Sequence, residues 1–324
     1  MSGKNCHQNN KPRNNDTSKT GNTTPVYILG AGSLGLIFAH YLTKNTPVSL
    51  ITREPTKSPF YYQNNQHRQV IPANSTSLEN ITFGTIRHVI VAVKAYQLDD
   101  ALEQLLPKLA TDAVILITHN GMSDLTLWLN KLTAKQRLFF ATTTQGGYKP
   151  FSNEVHHRGE GATWLGELGK TSTLDIPFLH LLQHSIPMLT LHPTIELVRW
   201  QKLLINVAIN PLSATEKATN GQLRQPKYAS LVLGLLNEAV YIANQLGIKI
   251  TLHESLMQAY LVMQNTSKNR SSMLQDCTLN RQTEIDAICG FLSKKGQELN
   301  YPTPFNDVML KKIKHIEQRY TQST

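Results

Sequence analysis

The chain has 324 residues, of which 40% are hydrophobic, and it carries a formal net charge of +10. This length is sufficient for two domains with separate cores, and the apolar fraction is ordinary for a soluble globular protein. No apolar run approaches the roughly 20 residues that span a bilayer, and the N-terminus lacks the apolar segment of a secretory signal. These features exclude the membrane and secreted classes and predict a cytoplasmic protein.

The cysteines and the charge indicate the compartment of the protein and the kinds of ligand it could bind. Cys6, Cys277 and Cys289 form neither a metal-binding spacing nor a disulfide framework, so we expect a reducing compartment and no metal. The positive charge is scattered and has no dense Lys/Arg block. It favours an anionic substrate and a phosphorylated cofactor over nucleic acid, which we do not expect as a partner.

The first 24 residues are rich in Asn, Lys, Ser and Thr and contain almost nothing apolar. Such a segment cannot bury enough surface to fold. We therefore predict a disordered tail over residues 1–24 and a fold that begins at Pro25.

A glycine-rich motif follows a short apolar strand at Val26–Leu29 and precedes a helical segment and a second strand at Val48–Thr52. The motif consists of Gly30, Ala31, Gly32, Ser33, Leu34 and Gly35. G-x-G-x-x-G in this context is typical of dinucleotide binding. Gly30 would permit the tight turn, Gly32 the close approach of a pyrophosphate, and Gly35 the close packing of helix on strand. A glycine-rich turn in an unrelated α/β unit is the alternative interpretation.

The residue that follows the second strand bears on the choice of cofactor. An acidic residue there would accept the ribose hydroxyls of NAD, whereas an arginine accommodates the 2′-phosphate of NADP. Arg53 comes first in this chain, with Glu54 behind it. Arg53 therefore predicts NADPH, and Glu54 leaves open how strictly NADPH is preferred over NADH.

Polar side chains follow the next predicted strands. The strands are predicted at His88–Val93, Ala113–Thr118 and Leu138–Thr144, a helix at Asp99–Leu109, and a hairpin that covers the sheet edge at Val155–Leu168. The carboxyl ends of parallel strands face the cofactor crevice. Lys94 and Gln97 after the first strand and Asn120 after the second are therefore candidate site residues, although Asn120-Gly121 is also an ordinary turn signal.

From Pro193 onward the periodicity is helical. Helices are predicted at Thr194–Ile209, Tyr228–Leu246, Leu252–Gln264, Glu284–Leu299 and Pro304–Tyr320. An α/β half followed by an all-helical half predicts a Rossmann-type dinucleotide-binding domain at residues 25–192 and an all-helical substrate domain at residues 193–324. The cleft between them would hold the reacting atoms.

The first of these helices carries a narrow polar stripe on an otherwise apolar surface. Lys202, Asn206 and Asn210 recur every fourth residue and so share one side of the helix. A helix that is apolar all round is buried, and buried polar groups need partners. We predict that the stripe lines a cleft and binds a polar ligand. The alternative is that Lys202 extends to solvent and the asparagines bond neighbouring backbone.

Two further residues in the second half have a functional and a structural interpretation. Ser272 could donate to a ligand carboxylate or hydroxyl, and Glu284 could pair with Lys202 and orient it. They could equally be a helix cap and a first-turn residue favoured by the helix dipole. Spacing alone leaves both interpretations open.

A series of motifs from about Pro25 to Tyr320 resembles the 2-dehydropantoate 2-reductase, or ketopantoate reductase, family. In chain order they are GAGSLG, VKAYQ, HNGM, WQKLLINVAINPLSA, NGQLR, SSMLQD and TEID. The resemblance implies reduction of 2-dehydropantoate to (R)-pantoate by NADPH, a step toward pantothenate and coenzyme A. We expect a monomer or homodimer, and the sequence leaves the choice between them open. The Asn-rich tail and a polar stretch around residues 61–69 depart from the family pattern without touching a motif.

The resemblance also implies roles for single residues. It makes Lys202 the catalytic lysine and Glu284 its support, and it places Arg53 at the 2′-phosphate. Asn120 and Lys94 would lie close to the nicotinamide and the substrate. The implied substrate-binding residues are Asn206, Asn210, Asn220 and Ser272. A reductase of another small 2-keto acid and a non-catalytic NADPH sensor remain as alternatives.

Overall fold

The computed structural model describes residues 24–169 and 174–320. The predicted tail therefore lies, except for Thr24, outside the described residues. The N-terminal part is an α/β structure and the C-terminal part is helical, which confirms the predicted fold class.

The N-terminal part is built on an eight-stranded sheet. From one edge to the other its strands are β12 (Leu189–Leu191), β11 (Thr163–Glu167), β8 (Arg137–Thr143), β7 (Leu109–Ile117), β6 (Ile86–Val91), β1 (Val26–Leu29), β2 (Val48–Ile51) and β5 (Asn74–Thr76). The strands from β8 to β5 are parallel, and β11 runs antiparallel to β8. The predicted central strands thus exist within a few residues of their expected bounds.

Helices cover both faces of this sheet, which is why its central strands are almost continuously apolar. The covering helices are α1 (Ser33–Leu42), α2 (Leu98–Leu105), α3 (Thr126–Lys131) and α4 (Pro177–Ser185). The α1 and α4 side chains share one apolar cluster with the sheet, and the α2 and α3 side chains share another. The parallel strand ends are therefore held between two cores, which fixes the loops that follow them.

A second, four-stranded sheet packs on the outer side of α1. Its order is β4 (Arg68–Ile71), β3 (Phe60–Gln63), β10 (Glu154–Gly159) and β9 (Gly146–Phe151). The predicted hairpin at Val155–Leu168 is wrong, because β10 belongs to this second sheet and β11 to the main sheet. Val155 buries its side chain in a cluster with α1, whereas Leu165 lies within the main sheet. The outermost strand on that side of the main sheet is β12.

The C-terminal part is a helical assembly around one long helix. Its helices are α5 (Ile195–Glu216), α6 (Ala229–Gln245), α7 (Leu252–Asn265), α8 (Ser272–Thr278), α9 (Phe291–Glu298) and α10 (Pro304–Gln318), and a π-helical turn at Asp286–Gly290 leads into α9. Helix α5 contacts α6, α7, α8 and α10, as the all-round apolar pattern predicts. It continues through Pro211 to Glu216, beyond the predicted end. Within the described part of the chain, none of the helices combines the length and apolar character that a membrane span requires.

Candidate active site

The glycine turn between β1 and α1 is shaped by close contacts. Gly30 has a φ of +106°, and a Cβ there would lie 2.6 Å from the Ala92 carbonyl oxygen. A Cβ on Gly35 would lie 2.0 Å from the Gly30 carbonyl oxygen. The helix can therefore pack this closely on the turn only if residue 35 is a glycine. Both observations agree with the steric roles predicted for these two positions.

Gly32 is different, because the fold leaves room for a side chain there. A Cβ on Gly32 would meet only the Ala92 oxygen at 3.7 Å, an ordinary contact. Gly32 is the exposed N-cap of α1, it offers no side-chain cap, and the first turn, which begins with the half-buried Ser33 and Leu34, contains no acidic residue. A helix N-terminus of this kind suits an anionic group that approaches the backbone closely. The turn therefore fits a dinucleotide pyrophosphate.

Arg53 and Glu54 lie exposed beyond the end of β2. Among the described residues, neither side chain forms an ion pair. The guanidinium of Arg53 is therefore available to an anionic ligand.

Lys202 on α5 reaches across to the ends of two sheet strands. Its Nζ donates to Oδ1 of Asn120 at 3.0 Å and to the backbone oxygen of Thr143 at 2.7 Å. Burial lowers the pKa of Lys202 from 10.5 to about 8, while the carboxylate of Glu284 opposes this shift. The helical part thus places an amine at the strand ends of the α/β part. Its pKa of about 8 lies close to neutral pH.

Glu284 is buried, 6% exposed, two residues before the π-helical turn. It accepts hydrogen bonds from Asn120 Nδ2 at 3.1 Å and from the backbone nitrogen of Ala95 at 3.3 Å. Glu284 and Lys202 are joined through the amide of Asn120, which hydrogen-bonds to both side chains. The amide oxygen accepts from the Lys202 ammonium, and the amide nitrogen donates to the Glu284 carboxylate. Glu284 therefore orients Asn120, and Asn120 in turn orients Lys202.

Lys94 forms a second cationic centre on the other side of Glu284. Its Nζ lies 3.0 Å from Asp276 Oδ2 and 3.5 Å from Glu284 Oε2. Burial by itself would lower the pKa of Lys94, but the attraction of Glu284 and Asp276 outweighs it and raises this pKa. The buried Asp276 also pairs with Arg281 at 3.0 Å.

The Asn120-Gly121 turn docks on the helical part. Gly121 has a φ of +76°, and a Cβ there would lie 2.4 Å from the Ala287 oxygen. The backbone nitrogen of Met122 donates to the same oxygen at 2.7 Å. This docking places Asn120 beside Glu284. Asn120-Gly121 is therefore both a turn and part of the candidate site.

The remaining candidates are arranged as follows. On α5, Asn206 is half-buried and Asn210 is buried, and neither side chain has a hydrogen-bond partner among the described residues. Asn220 donates to Thr266 Oγ1 at 2.9 Å, while its own buried Oδ1 lacks a partner. These polar atoms remain available to a ligand.

Ser272 and Gln97 lie at helix ends. Ser271, and not Ser272, is the N-cap of α8, because the Ser271 hydroxyl accepts from the Leu274 nitrogen at 3.1 Å. The exposed Ser272 follows it as the first helical residue. The half-buried Gln97 ends the short 3₁₀ turn after Lys94, and its backbone nitrogen donates to the Lys94 oxygen.

Sequence reasoning missed four residues at this site. Thr143 ends β8 and Gln145 follows it, so the rule of the strand ends could have found both. Gln145 Oε1 is buried without a partner among the described residues. Asp276 lies in the SSMLQD motif but carried no predicted role. Lys149, in the second sheet, donates to the Ala31 oxygen at 2.6 Å, and no sequence signal points to it. In residues 24–169 and 174–320, no cluster of His, Cys, Asp and Glu could hold a metal ion.

Two family models match the chain. Ketopantoate reductase PanE/ApbA matches residues 26–170, and ketopantoate reductase PanE/ApbA C terminal matches residues 194–317. The chain belongs to the ketopantoate reductase family. This result confirms the resemblance drawn from the motifs.

Individual relatives agree with this assignment. A 2-dehydropantoate 2-reductase of Vibrio cholerae is 31% identical over 304 residues, which are 92% of this chain and 99% of the relative. A solved D-mandelate dehydrogenase with NADH and anilino(oxo)acetate has a TM-score of 0.83 at 20% identity, covering 92% of this chain and 99% of its own. A dimeric ketopantoate reductase from Staphylococcus aureus has a TM-score of 0.76 at 23% identity, covering 91% and 99%. At these identities the two structures support the fold alone.

Proposed function

We propose that this chain reduces 2-dehydropantoate to (R)-pantoate with NADPH, in the biosynthesis of pantothenate and coenzyme A. The observation that carries the proposal is the half-buried ammonium of Lys202, held by Asn120 and Thr143 at the strand ends of a dinucleotide-binding sheet. The family and the activity named for the Vibrio cholerae relative support the substrate. As a member of this family, the chain is an NADP-dependent oxidoreductase.

The glycine turn and the end of β2 would hold the cofactor. Gly32 leaves the backbone open to the pyrophosphate, and Arg53 is available to the 2′-phosphate. Lys94, Gln97 and Asn120, at the carboxyl ends of β6 and β7, would border the cofactor beyond the turn. When bound, NADPH supplies the hydride that adds to the C2 carbonyl carbon of the keto acid.

Lys202 acts as the proton donor in this proposal. Its Nζ holds the proton that the carbonyl oxygen takes up as negative charge develops there. A pKa of about 8 makes this ammonium a stronger acid than an ordinary lysine while keeping it largely protonated at neutral pH. Glu284 acts through Asn120 as a positioning residue, and it limits the fall of the lysine pKa.

The other polar groups would bind the substrate. Asn206 and Asn210 follow Lys202 along the same side of α5, so their amides extend from the reacting centre. Asn220 and Ser272 offer an amide oxygen and a hydroxyl to the hydroxyl and carboxylate groups of the keto acid. Lys94 stays cationic and offsets the charge of the two carboxylates that it contacts, Asp276 and Glu284.

The deciding experiment is to follow the absorbance of NADPH after addition of 2-dehydropantoate, with NADH in a parallel reaction. We expect rapid oxidation of NADPH and slower oxidation of NADH, and Arg53→Ala should reduce the difference between them. Tight NADPH binding without oxidation would reject this substrate.

A second candidate is a reductase of another small 2-keto acid, because a D-mandelate dehydrogenase shares this fold. A panel of 2-keto acids distinguishes it, since its best substrate would have a different side chain. A non-catalytic NADPH sensor would bind the cofactor and turn over none of the panel.

Three accompanying proposals concern the whole chain. We propose that it acts in the cytoplasm and that it is a monomer or a homodimer. The dimeric Staphylococcus aureus relative supports the homodimer. We also propose the domain division at residues 25–192 and 193–324, which follows the change from sheet to helices.

A further inference from the structure

Strand β9 places a lysine at the glycine turn. The strand forms one edge of the second sheet, and this sheet packs on α1. A Cβ on Gly147 would lie only 2.9 Å from Ile37 Cδ1, so the start of the strand lies directly on the helix. Two residues later, Lys149 Nζ donates to the Ala31 oxygen within the glycine turn at 2.6 Å.

The charge of Lys149 is poorly compensated in this position. The side chain is half-buried, its acceptor is a neutral carbonyl, and it has no carboxylate partner among the described residues. Burial lowers the pKa of Lys149, which shows that the surroundings disfavour the ammonium. The N-terminus of α1 adds a second positive contribution nearby, and its first turn contains no acidic residue to balance it.

An anion at the turn would compensate both groups. An ammonium has three donors, and the Ala31 oxygen uses one of them. The other two donors are left for a group seated on the turn, where the exposed Gly32 leaves space for one. A pyrophosphate matches this site in charge and in its number of acceptors.

We propose that Lys149 is a ligand of the cofactor pyrophosphate and that the second sheet is therefore part of the cofactor site. The inference rests on the proposed function, which supplies the dinucleotide. It adds a residue from outside the βαβ unit, on a strand that the glycine motif does not predict. The competing explanation is that Lys149 only holds the Ala31 carbonyl in place.

The test is a binding titration that needs no keto acid. NADPH fluorescence is measured against increasing concentrations of wild-type protein, Lys149→Met, Lys149→Arg and Lys135→Met. Lys135 is an exposed lysine just before β8, at the amino ends of the parallel strands, so its variant removes the same charge from the opposite edge of the sheet. Adenosine 2′-monophosphate, which lacks the pyrophosphate, is titrated as a competitor.

Lys149→Met should raise the Kd for NADPH about 10-fold or more, the usual effect of losing a charge-assisted hydrogen bond. Lys149→Arg should bind within about 3-fold of wild type because it retains the charge. Lys135→Met should stay within about 2-fold, and adenosine 2′-monophosphate should bind Lys149→Met as it binds wild type. The thermal midpoint of Lys149→Met without cofactor should equal or exceed that of wild type, because a half-buried charge without a carboxylate partner is removed.

Three results would overturn the inference. They are wild-type affinity of Lys149→Met for NADPH, an equal loss of affinity for adenosine 2′-monophosphate, and a lowered thermal midpoint that Lys149→Arg does not restore. A wild-type protein that fails to bind NADPH would instead refute the proposed function and this inference together.

Discussion

Lys94 and Lys202 belong to one hydrogen-bond network, but their pKa values are shifted in opposite directions. Lys94 faces two buried carboxylates, so its pKa is raised and it remains a cation. Lys202 faces only an amide oxygen and a backbone oxygen, so burial dominates and its pKa falls to about 8. Such a separation of pKa values identifies which group can exchange a proton and which supplies fixed charge.

The first prediction concerns the proton donor. Lys202→Met should lower kcat at least 10²-fold, because general acid catalysis contributes roughly 10²–10⁴ in rate. The Kd for NADPH, measured by fluorescence titration, should change little, since the glycine turn and Arg53 are untouched. An active Lys202→Met variant would refute the assigned role of the lysine.

The second prediction is a pH profile. The protonated form of Lys202 is the acid, so kcat should fall as the pH rises through about 8. The profile is measured at saturating NADPH and keto acid, with the solvent-exposed lysine variant Lys135→Met as a control that keeps the same profile. A kcat that stays level up to pH 10 would show that a different group donates the proton.

The same pKa shift affects stability, and its sign can be worked out. The folded pKa of about 8 lies below the unfolded value of 10.5, so the unfolded chain binds more protons between these values. Stability contributed by this group therefore rises with pH across that window. Thermal unfolding of wild type relative to Lys202→Met should show this gain between pH 8 and 10, and a relative loss of stability would contradict the assigned shift.

At the scale of elements, the docking of the β7 turn on the π-helical turn positions the network. Asn120 can relay between Lys202 and Glu284 only while Gly121 lies against Ala287. A π-turn before α9 presents the Ala287 oxygen to the Met122 nitrogen instead of burying it in a regular helix. This local irregularity at a functional site fits the usual occurrence of π-bulges.

The fourth prediction tests this docking with two glycines of similar backbone conformation. Gly121→Ala should cost more stability than Gly84→Ala and should also lower kcat, because its Cβ would clash with the Ala287 oxygen at 2.4 Å. Gly84 has a φ of +70° with nothing within 4 Å, so its variant carries only the cost of a left-handed alanine, about 1–2 kcal/mol. Denaturant unfolding and kcat are measured for both variants. Equal effects would mean that the contact with Ala287 does not position the site.

The elements also show what the sequence could predict. Lys94 and Asn120 follow parallel strands, so a rule based on local pattern placed them correctly at the strand ends. The bridge from Lys202 through Asn120 to Glu284 was outside that rule, because it depends on how the turn at Gly121 docks on Ala287. Strand β10 and Lys149 were missed for a related reason: which sheet a short strand joins is decided by contacts with α1 that are distant in sequence.

At the scale of the whole molecule, the site exists only where the two halves meet. Lys202 comes from the helical half and is held by Asn120 and Thr143 of the α/β half, while Asp276 of the helical half holds Lys94 of the other. These polar contacts across the cleft are buried or half-buried. Loss of either partner would therefore leave the other without a hydrogen bond in a poorly solvated position, which is costly. The reacting groups are therefore assembled by tertiary docking and not by either half alone.

The last prediction follows from the net charge of +10. Both proposed ligands are anions, and a positive field attracts them over a distance that shrinks as salt is added, from about 30 Å at 0.01 M to about 3 Å at 1 M. Raising NaCl should therefore lower kcat/KM for NADPH several-fold. It should change kcat much less, because the contacts of Lys202 lie within the cleft, where salt screens charges weakly. Steady-state kinetics across a NaCl series separates the two constants, and a parallel fall in kcat would mean that salt disrupts the docked site itself.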